Sequence, residues 1–187
     1  MRNKVVIITG ASSGIGKATA IQFALEGAKI VMAARNKQKL DGAAADNALK
    51  GTAVLTVVAD VAKEQDCKHL IEATIQRFGA IDYCTKYALP YLLKSKGSVA
   101  GISSIAGYVG LPARTGYSAS KFAMQGFLEA LRTENLENNL HVLIACPGFT
   151  ASNIRNMALT ADGSSQGESP REEEKMMSAE EVASHIF

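Results

Sequence analysis

The 187-residue chain lacks an apolar run long enough to cross a membrane, which takes about 20 residues. The apolar run near its N-terminus, VVIIT, ends after five residues at a glycine turn, so it predicts a buried strand rather than a secretion signal. Clustered positive charge is missing as well, because the formal net charge is only +2 and no basic face forms. We therefore expect a cytoplasmic protein that binds neither membranes nor nucleic acid.

Cysteine and histidine are also scarce. The three cysteines lie far apart and form no C-x-x-C pair, a distribution typical of free thiols in a reducing compartment. The three histidines lack the spacing of metal ligands, so no metal site is predicted. Hydrophobic residues make up 47% of the chain and charged residues 20%, and there are no internal repeats. This composition favours one globular domain over residues 1–187.

Apolar strands alternate with helical segments along most of the chain. Strands apolar on both faces form parallel sheets that helices cover on each side, so the alternation predicts an α/β fold. The predicted strands are 5–9, 29–34, 53–59, 98–103 and 141–146, and the predicted helices are 14–26, 37–50, 63–78, 83–93 and 116–137.

The C-terminal part has a different composition. Residues 159–177 are rich in glycine, serine and charge, which favours a surface flap that leads into a last helix. Ser169 with Glu172, and Ser178 with Glu181, both have the spacing of a capping box and predict helix starts.

The sequence TGASSGIG places Gly10, Gly14 and Gly16 between the first predicted strand and the first predicted helix. A dinucleotide needs glycines at such a turn, because its pyrophosphate approaches the backbone where a Cβ would obstruct it. The helix N-terminus adds free N–H groups and the positive end of a dipole. The spacing differs from the common G-x-G-x-x-G, but its place in the first βαβ unit favours a dinucleotide site.

The end of the second strand bears on the choice of cofactor. An acidic residue there would bind the ribose hydroxyls of NAD, whereas this chain has Ala34 followed by Arg35. A guanidinium suits the 2′-phosphate of NADP, so we expect NADP, with NAD as the alternative; Arg35 would otherwise be a solvated loop residue. Asp60, after the third strand, would either accept a hydrogen bond from the adenine amino group or cap the next helix.

Ser104, Tyr117 and Lys121 form the candidate catalytic group. Reduction of a ketone requires a proton for its oxygen, and a tyrosine can supply it once a neighbouring ammonium favours the phenolate. Tyr117 and Lys121 are four residues apart, so they share one face of the predicted helix. Ser104, at the end of a predicted strand, would bind the substrate oxygen. Taken singly, each residue also fits an ordinary turn, helix or surface role.

Together these motifs resemble the short-chain dehydrogenase/reductase family. The matching stretches spread over most of the chain: TGASSGIG, DV at 60–61, GISSIAG at 101–107, YSASK at 117–121 and PG at 147–148. The resemblance implies a Rossmann-like, doubly wound parallel sheet in a three-layer α/β/α sandwich. It also implies NAD(P)-linked interconversion of a ketone and a secondary alcohol, and a homodimer or homotetramer.

Carried over residue by residue, the resemblance makes Tyr117 the general acid/base and Ser104 the residue that orients the substrate oxygen. Lys121 would bind the nicotinamide ribose and bias Tyr117 towards phenolate. The family has a threonine five residues after its proline, which here is Ser152, with Thr150 as a second candidate. The implied cofactor-binding residues are Gly10, Ser12, Ser13, Gly14, Ile15, Gly16, Arg35, Asp60, Val61, Tyr117, Lys121, Pro147, Gly148, Thr150 and Ser152.

The stretch RFGAIDYCTKYALPYLL departs from the family pattern. After F-G-x-I-D the family continues into a fourth strand, an N-N-A-G turn, a helix and an active-site asparagine. This chain passes from Asp82 directly to Tyr83 and contains no N-N-A-G, so no residue is assigned as that asparagine. The fourth strand would lie beside the first, and its loss would open the core. A strand with its crossover takes roughly 30 residues.

Two explanations of this departure are open. In the first, which we favour, the 187 residues are the ordered part of a longer chain with further residues between Asp82 and Tyr83 and beyond Phe187. In the second, the deletion is real. The first predicts an active NADP-preferring oxidoreductase, and the second predicts a dinucleotide-binding protein with an incomplete active site.

Overall fold

The computed structural model describes residues 1–81, 87–151, 164, 167 and 175–187, and the junction between Asp82 and Tyr83 lies outside them. Within the described residues, the alternation of strands and helices is confirmed. The strands are β1 (Val5–Thr9), β2 (Lys29–Ala34), β3 (Val54–Val58), β4 (Ser98–Ile102) and β5 (His141–Ala145), and the helices are α1 (Gly14–Leu25), α2 (Lys37–Ala44), α3 (Glu64–Phe78), α4 (Leu89–Ser95), α5 (Thr115–Glu134) and α6 (Ala179–Ile186).

Helix α1 ends one residue earlier than the sequence pattern predicts, and helices α2 and α5 end at least three residues earlier. Helix α2 ends at Ala44, and a separate 3-10 turn follows at Asn47–Leu49. The Asp46 side chain accepts a hydrogen bond from the Ala48 N–H, which gives the backbone an alternative to continuing the helix. Helix α5 ends at Glu134, and a 3-10 turn follows at Leu136–Asn138.

The strands form two parallel sheets. In the first, β2 lies between β1 and β3, with Ile7 beside Val31 and Val31 beside Leu55. In the second, β4 pairs with β5, with Val99 beside Val142. Among the described strands, no ladder joins β1 to β4.

Alternate residues of β1 belong to two different cores. Val5 and Ile7 pack with apolar residues of α3, α4 and α5 on one side of the sheet. Val6 and Ile8 pack with apolar residues of α1, α2 and α6 on the other side. This alternation follows from the two-residue period of a strand. Helices therefore cover both faces, and the predicted three-layer α/β/α arrangement is confirmed.

Helix α6 begins at the second predicted capping box. The Ser178 hydroxyl accepts a hydrogen bond from the Glu181 N–H at 3.0 Å, and the Glu181 carboxylate accepts one from the Ser178 N–H at 2.7 Å. The helix packs against α1, where the rings of Phe187 and Phe23 meet edge to face at 5.5 Å. The first predicted box, at Ser169, lies outside the described residues.

A cavity of about 890 Å³ separates the two sheets. We call it the inter-sheet slot; its edges are Val6–Thr9 of β1 and Val99–Ile102 of β4, and apolar side chains of α1, α3 and α5 complete its wall. The slot lies where the sequence predicts that loss of the fourth strand would open the core. Ala100, in the middle of β4, is exposed as a result.

Candidate active site

The glycine turn joins β1 closely to α1. Gly10 and Gly14 have φ angles of +69° and +53°, which residues with a Cβ rarely adopt. A Cβ on Gly16 would clash with the Gly10 carbonyl, lying only 2.8 Å from its carbon. Glycine at position 16 thus lets the helix approach the strand, as the sequence predicts.

This turn fits a pyrophosphate group. Ser13 precedes α1 in an extended conformation and its side chain makes no capping hydrogen bond, so the first N–H groups of α1 lack a side-chain acceptor there. A Cβ on Gly10 would meet no atom within 4 Å, so the surface beside the turn is open. An open backbone surface at a helix N-terminus suits an anion.

Two cationic side chains flank this region differently. Arg35 follows β2 and is exposed, and no ion pair within the described part of the chain involves it. Lys17, in α1, instead forms an ion pair with Asp46 at 2.7 Å. The hydrogen bond from Lys17 holds the pKa of the Asp46 carboxyl below its ordinary value. Of the two, Arg35 is the better candidate for a phosphate ligand.

Asp60 does not cap helix α3, so that alternative is wrong. The residue that precedes α3 is Lys63, and the Asp60 carboxylate instead accepts a hydrogen bond from the Ala62 N–H at 3.1 Å. This hydrogen bond closes a tight turn at the end of β3. An aspartate side chain readily accepts a hydrogen bond from the backbone N–H two residues later in the chain. Val61, inside the turn, is largely exposed. Both residues lie at the carboxyl end of the first sheet, where the sequence predicts the adenine.

Lys121 connects helix α5, which also carries Tyr117, with the end of β4. Its ammonium donates a hydrogen bond to the Ile102 carbonyl at the end of β4 (2.9 Å) and lies 5.7 Å from the centre of the Tyr117 ring. Both side chains belong to α5, which confirms that they share a helix face. Ser104, two residues beyond β4, accepts a hydrogen bond from the Ala106 N–H at 3.2 Å. Tyr117 is 36% exposed, so a substrate can reach it.

A buried polar group behind these residues was missed by the sequence reasoning. Gln125 lies one helical turn after Lys121 and donates a long hydrogen bond to the Cys146 sulfur at 3.9 Å. A Cβ on Gly107 would clash with the Gln125 carbonyl oxygen and lie 2.8 Å from the Ser103 hydroxyl. The four-residue spacing after Lys121 is the signal that would have identified Gln125.

The segment after β5 is fixed by backbone pairing. Beyond Pro147, Thr150 forms a parallel bridge with Met177, and the Thr150 hydroxyl donates to the Gly148 carbonyl at 3.3 Å. The bridge ties this segment to the residue just before the last helix. Thr150 is buried, and Ser152 lies outside the described residues.

The described residues contain no group of three or more His, Cys, Asp or Glu side chains that could hold a metal ion. No helix in the same part of the chain is long and apolar enough to cross a membrane.

Solved structures share this fold. A short-chain dehydrogenase/reductase of unknown function from Caenorhabditis elegans, crystallised with cofactor, has a TM-score of 0.83 and 24% identity, covering 99% of this chain and 87% of its own. A glucose dehydrogenase of the same organism in the apo form has a TM-score of 0.80 and 25% identity over 99% of this chain and 88% of its own. These likenesses confirm the Rossmann-like fold.

Curated relatives point to the same family. The 11-beta-hydroxysteroid dehydrogenase-like 2 of Arabidopsis thaliana is 35% identical over 81% of this chain and 60% of its own length. A dehydrogenase/reductase SDR family protein 7-like of Dictyostelium discoideum is 30% identical over all of this chain and 70% of its own. The chain spans 53–60% of the length of the first three relatives.

The family profile is interrupted at the place where the sequence departs from the family pattern. The alignment with the Dictyostelium protein has 227 positions for 187 residues, so at least 40 positions lie opposite no residue of this chain. The family profile described as short chain dehydrogenase matches in two pieces, residues 4–84 and 83–162. The two pieces meet beside Tyr83 and together cover most of the sequence. The chain therefore belongs to the short-chain dehydrogenase/reductase family.

Proposed function

We propose that the protein is an NADP(H)-preferring oxidoreductase that interconverts a ketone and a secondary alcohol, with Tyr117 as general acid/base. The observation that supports it best is the position of Lys121, whose ammonium reaches both the end of β4 and the Tyr117 ring. Ser104 follows the same strand end. The names of the Arabidopsis relatives describe dehydrogenases of hydroxysteroids, which carry the reacting group as an alcohol.

Each residue has a distinct role in this proposal. The Tyr117 hydroxyl donates a proton to the carbonyl oxygen in reduction and removes it in oxidation. The Lys121 ammonium stabilises negative charge on that hydroxyl when the proton leaves. The Ser104 hydroxyl donates a hydrogen bond to the substrate oxygen and orients it. A nicotinamide dinucleotide, when bound, supplies or accepts the hydride.

The glycine turn and the ends of the strands would hold the dinucleotide. The N–H groups from Gly14 to Gly16 would bind the pyrophosphate, Asp60 and Val61 the adenine, and Arg35 the 2′-phosphate. The remaining proposed contacts are Gly10, Ser12, Ser13, Lys121, Pro147, Gly148, Thr150 and Ser152.

Replacing Arg35 by alanine is expected to raise the KM for NADPH by about 10–100-fold and to leave the KM for NADH nearly unchanged. Loss of a charge-assisted hydrogen bond costs about 1.5–3 kcal/mol, and each 1.4 kcal/mol corresponds to about tenfold. Arg77→Ala, on the last turn of α3, is the matched control because that guanidinium lies over the Phe78 ring instead. Equal effects on NADPH and NADH would contradict a role in phosphate recognition.

A second candidate function is dinucleotide binding without catalysis. The inter-sheet slot favours it, because a cavity of about 890 Å³ lies beside β1 and β4, and the chain has no counterpart of the family's active-site asparagine. Binding of NADPH without turnover of any ketone would favour this candidate. Oxidation of NADPH by a ketone panel would favour the oxidoreductase.

The intact mass of the protein tests the length of its chain. The 187 residues weigh 19.8 kDa, and we expect a larger intact mass because the explanation we favour has further residues between Asp82 and Tyr83. An intact mass of 19.8 kDa for the natural protein would contradict this.

In native mass measurements we expect two or four subunits, since Tyr91 of α4 and Phe122 of α5 expose apolar surface on helices that pair between subunits in the family. A native mass equal to that of one subunit would contradict this expectation.

A further inference from the structure

The side chain of Gln125 reaches from α5 to the segments that follow two strands. Its amide nitrogen donates a long hydrogen bond to the Cys146 sulfur, one residue beyond β5. Its amide oxygen lies against Gly107, beyond β4, in the place that a Cβ would occupy. Only 5% of the residue is exposed. One buried side chain therefore connects the helix of Tyr117 and Lys121 to the ends of both strands of the second sheet.

Gly107 closes the short turn that holds Ser104. We call Ser104–Gly107 the serine turn, in which the Gly107 N–H donates a hydrogen bond to the Ser104 carbonyl at 2.9 Å. The Ser104 hydroxyl accepts a hydrogen bond from the Ala106 N–H at 3.2 Å, which leaves its own O–H available as a donor. Ala106 and Gly107 are both buried. The position of the Ser104 hydroxyl therefore depends on where Gly107 lies.

The amide of Gln125 costs stability where it lies. Among the described residues, its oxygen and the Ser103 hydroxyl are buried side-chain atoms without a hydrogen-bond partner. A buried polar atom left unpaired destabilises a protein, whereas a methionine would fill a similar volume without a polar group to satisfy. Proteins keep such costly groups chiefly where a site requires them. A role in the neighbouring site accounts for glutamine at this position.

We infer that Gln125 is a positioning residue, which acts through Gly107 to hold the Ser104 hydroxyl at a fixed distance from the Tyr117 hydroxyl. This role rests on the proposed function, in which Ser104 orients the substrate oxygen. Because Gln125 and Tyr117 belong to one helix, the glutamine fixes the serine turn relative to the acid/base itself. A displacement of about 1 Å is enough to lower a rate by about a hundredfold.

Gln125→Met tests this role because stability and rate should respond differently. We expect a Tm that is unchanged or raised, since the unpaired amide oxygen is lost while the volume is kept. We expect kcat with a ketone to fall by about 10–100-fold, since the serine turn loses the group that fixes it, and the Kd for NADPH to be largely retained. If Tm falls together with kcat, Gln125 has an ordinary packing role and the inference fails.

Ser104→Ala shows whether the effect passes through Ser104. If it does, adding Gln125→Met to the Ser104→Ala protein should lower kcat by less than about twofold further, although Gln125→Met has a large effect alone. Equal effects of Gln125→Met in the two backgrounds would contradict action through the Ser104 hydroxyl.

Amide hydrogen exchange tests the contact without turnover. The Gly107 N–H and the Tyr108 N–H both donate to carbonyls of the serine turn, so their exchange reports its opening. In Gln125→Met both should exchange at least about tenfold faster, while the amides of β2 keep their rates. Leu131→Met is the matched control, because it places the same side chain at another buried position of α5 with little change of volume. It should leave exchange in the serine turn unchanged.

Unchanged exchange of Gly107 and Tyr108 in Gln125→Met would overturn the inference, whatever the rate of turnover. An unmodified protein that turns over no ketone would instead contradict the oxidoreductase proposal. Exchange would then still decide whether Gln125 holds the serine turn, so the two failures are distinguishable.

Discussion

Replacing Tyr117 by phenylalanine is expected to lower kcat by about 10²–10⁴-fold while NADPH binding is largely retained. A positioned proton donor contributes a factor of this size to a reaction that passes a proton to a developing oxyanion. Phenylalanine keeps the ring that faces the Lys121 ammonium but removes the hydroxyl that is proposed to donate the proton. The measurement is the steady-state rate of NADPH oxidation with a ketone, together with the Kd for NADPH.

The matched control for this variant is Tyr91→Phe. Tyr91 lies on α4 and is 41% exposed, comparable with the 36% of Tyr117, so both substitutions remove one accessible hydroxyl. Only the Tyr117 variant should lose turnover. A Tyr117→Phe protein that keeps the kcat of the unmodified chain would refute the acid/base role, whatever its affinity for the dinucleotide.

Replacing Gly16 by alanine is expected to weaken dinucleotide binding by at least about tenfold and to lower the Tm. The new Cβ would lie against the Gly10 carbonyl, which is backbone and cannot rotate away. Forcing bulk into a tightly packed position costs about 1–3 kcal/mol, and here the backbone that shifts is the turn proposed to hold the pyrophosphate. Titration with NADPH and a thermal melt measure the two effects.

Gly42→Ala provides the comparison for this substitution. Gly42 lies within α2, and a Cβ there would meet no atom within 4 Å. Alanine in such a helix position stabilises a protein by about 0.4–1 kcal/mol, chiefly by restricting the unfolded chain. Gly16→Ala should therefore lower Tm, and Gly42→Ala should raise it. A Gly16→Ala protein with unchanged Tm and NADPH affinity would exclude this turn as the binding site.

The elements of this fold were largely predictable because their signals are local. The boundaries of β1 and β2 agree with the predicted strands to the residue, since continuous apolar runs end in a glycine turn and at Arg35. The capping box at Ser178 correctly predicted the start of α6. Helix α2 was predicted too long. The alanine-rich composition favours a helix, but it does not reveal the hydrogen bond from the Ala48 N–H to the Asp46 carboxylate.

The candidate site was only partly predictable. The four-residue spacing of Tyr117 and Lys121 requires only a helix, so the sequence was sufficient to place them together. The sequence does not reveal that Lys121 bonds the Ile102 carbonyl, or that Gln125 contacts Cys146. These contacts join residues 19 and 21 positions apart, on different elements. Their formation depends on how α5 packs against β4 and β5, which no local pattern specifies.

By itself the sequence determined the α/β class, the glycine turn and the residues of the candidate catalytic group, because each depends on short-range spacing and backbone preference. The tertiary structure decided how the strands are arranged: among the described residues, β1 and β4 border a slot and share no ladder. Strand pairing joins residues far apart in sequence, and each partner satisfies the other's backbone groups. Which strand edges pair and which border a cavity therefore appears only when the strands are packed in three dimensions.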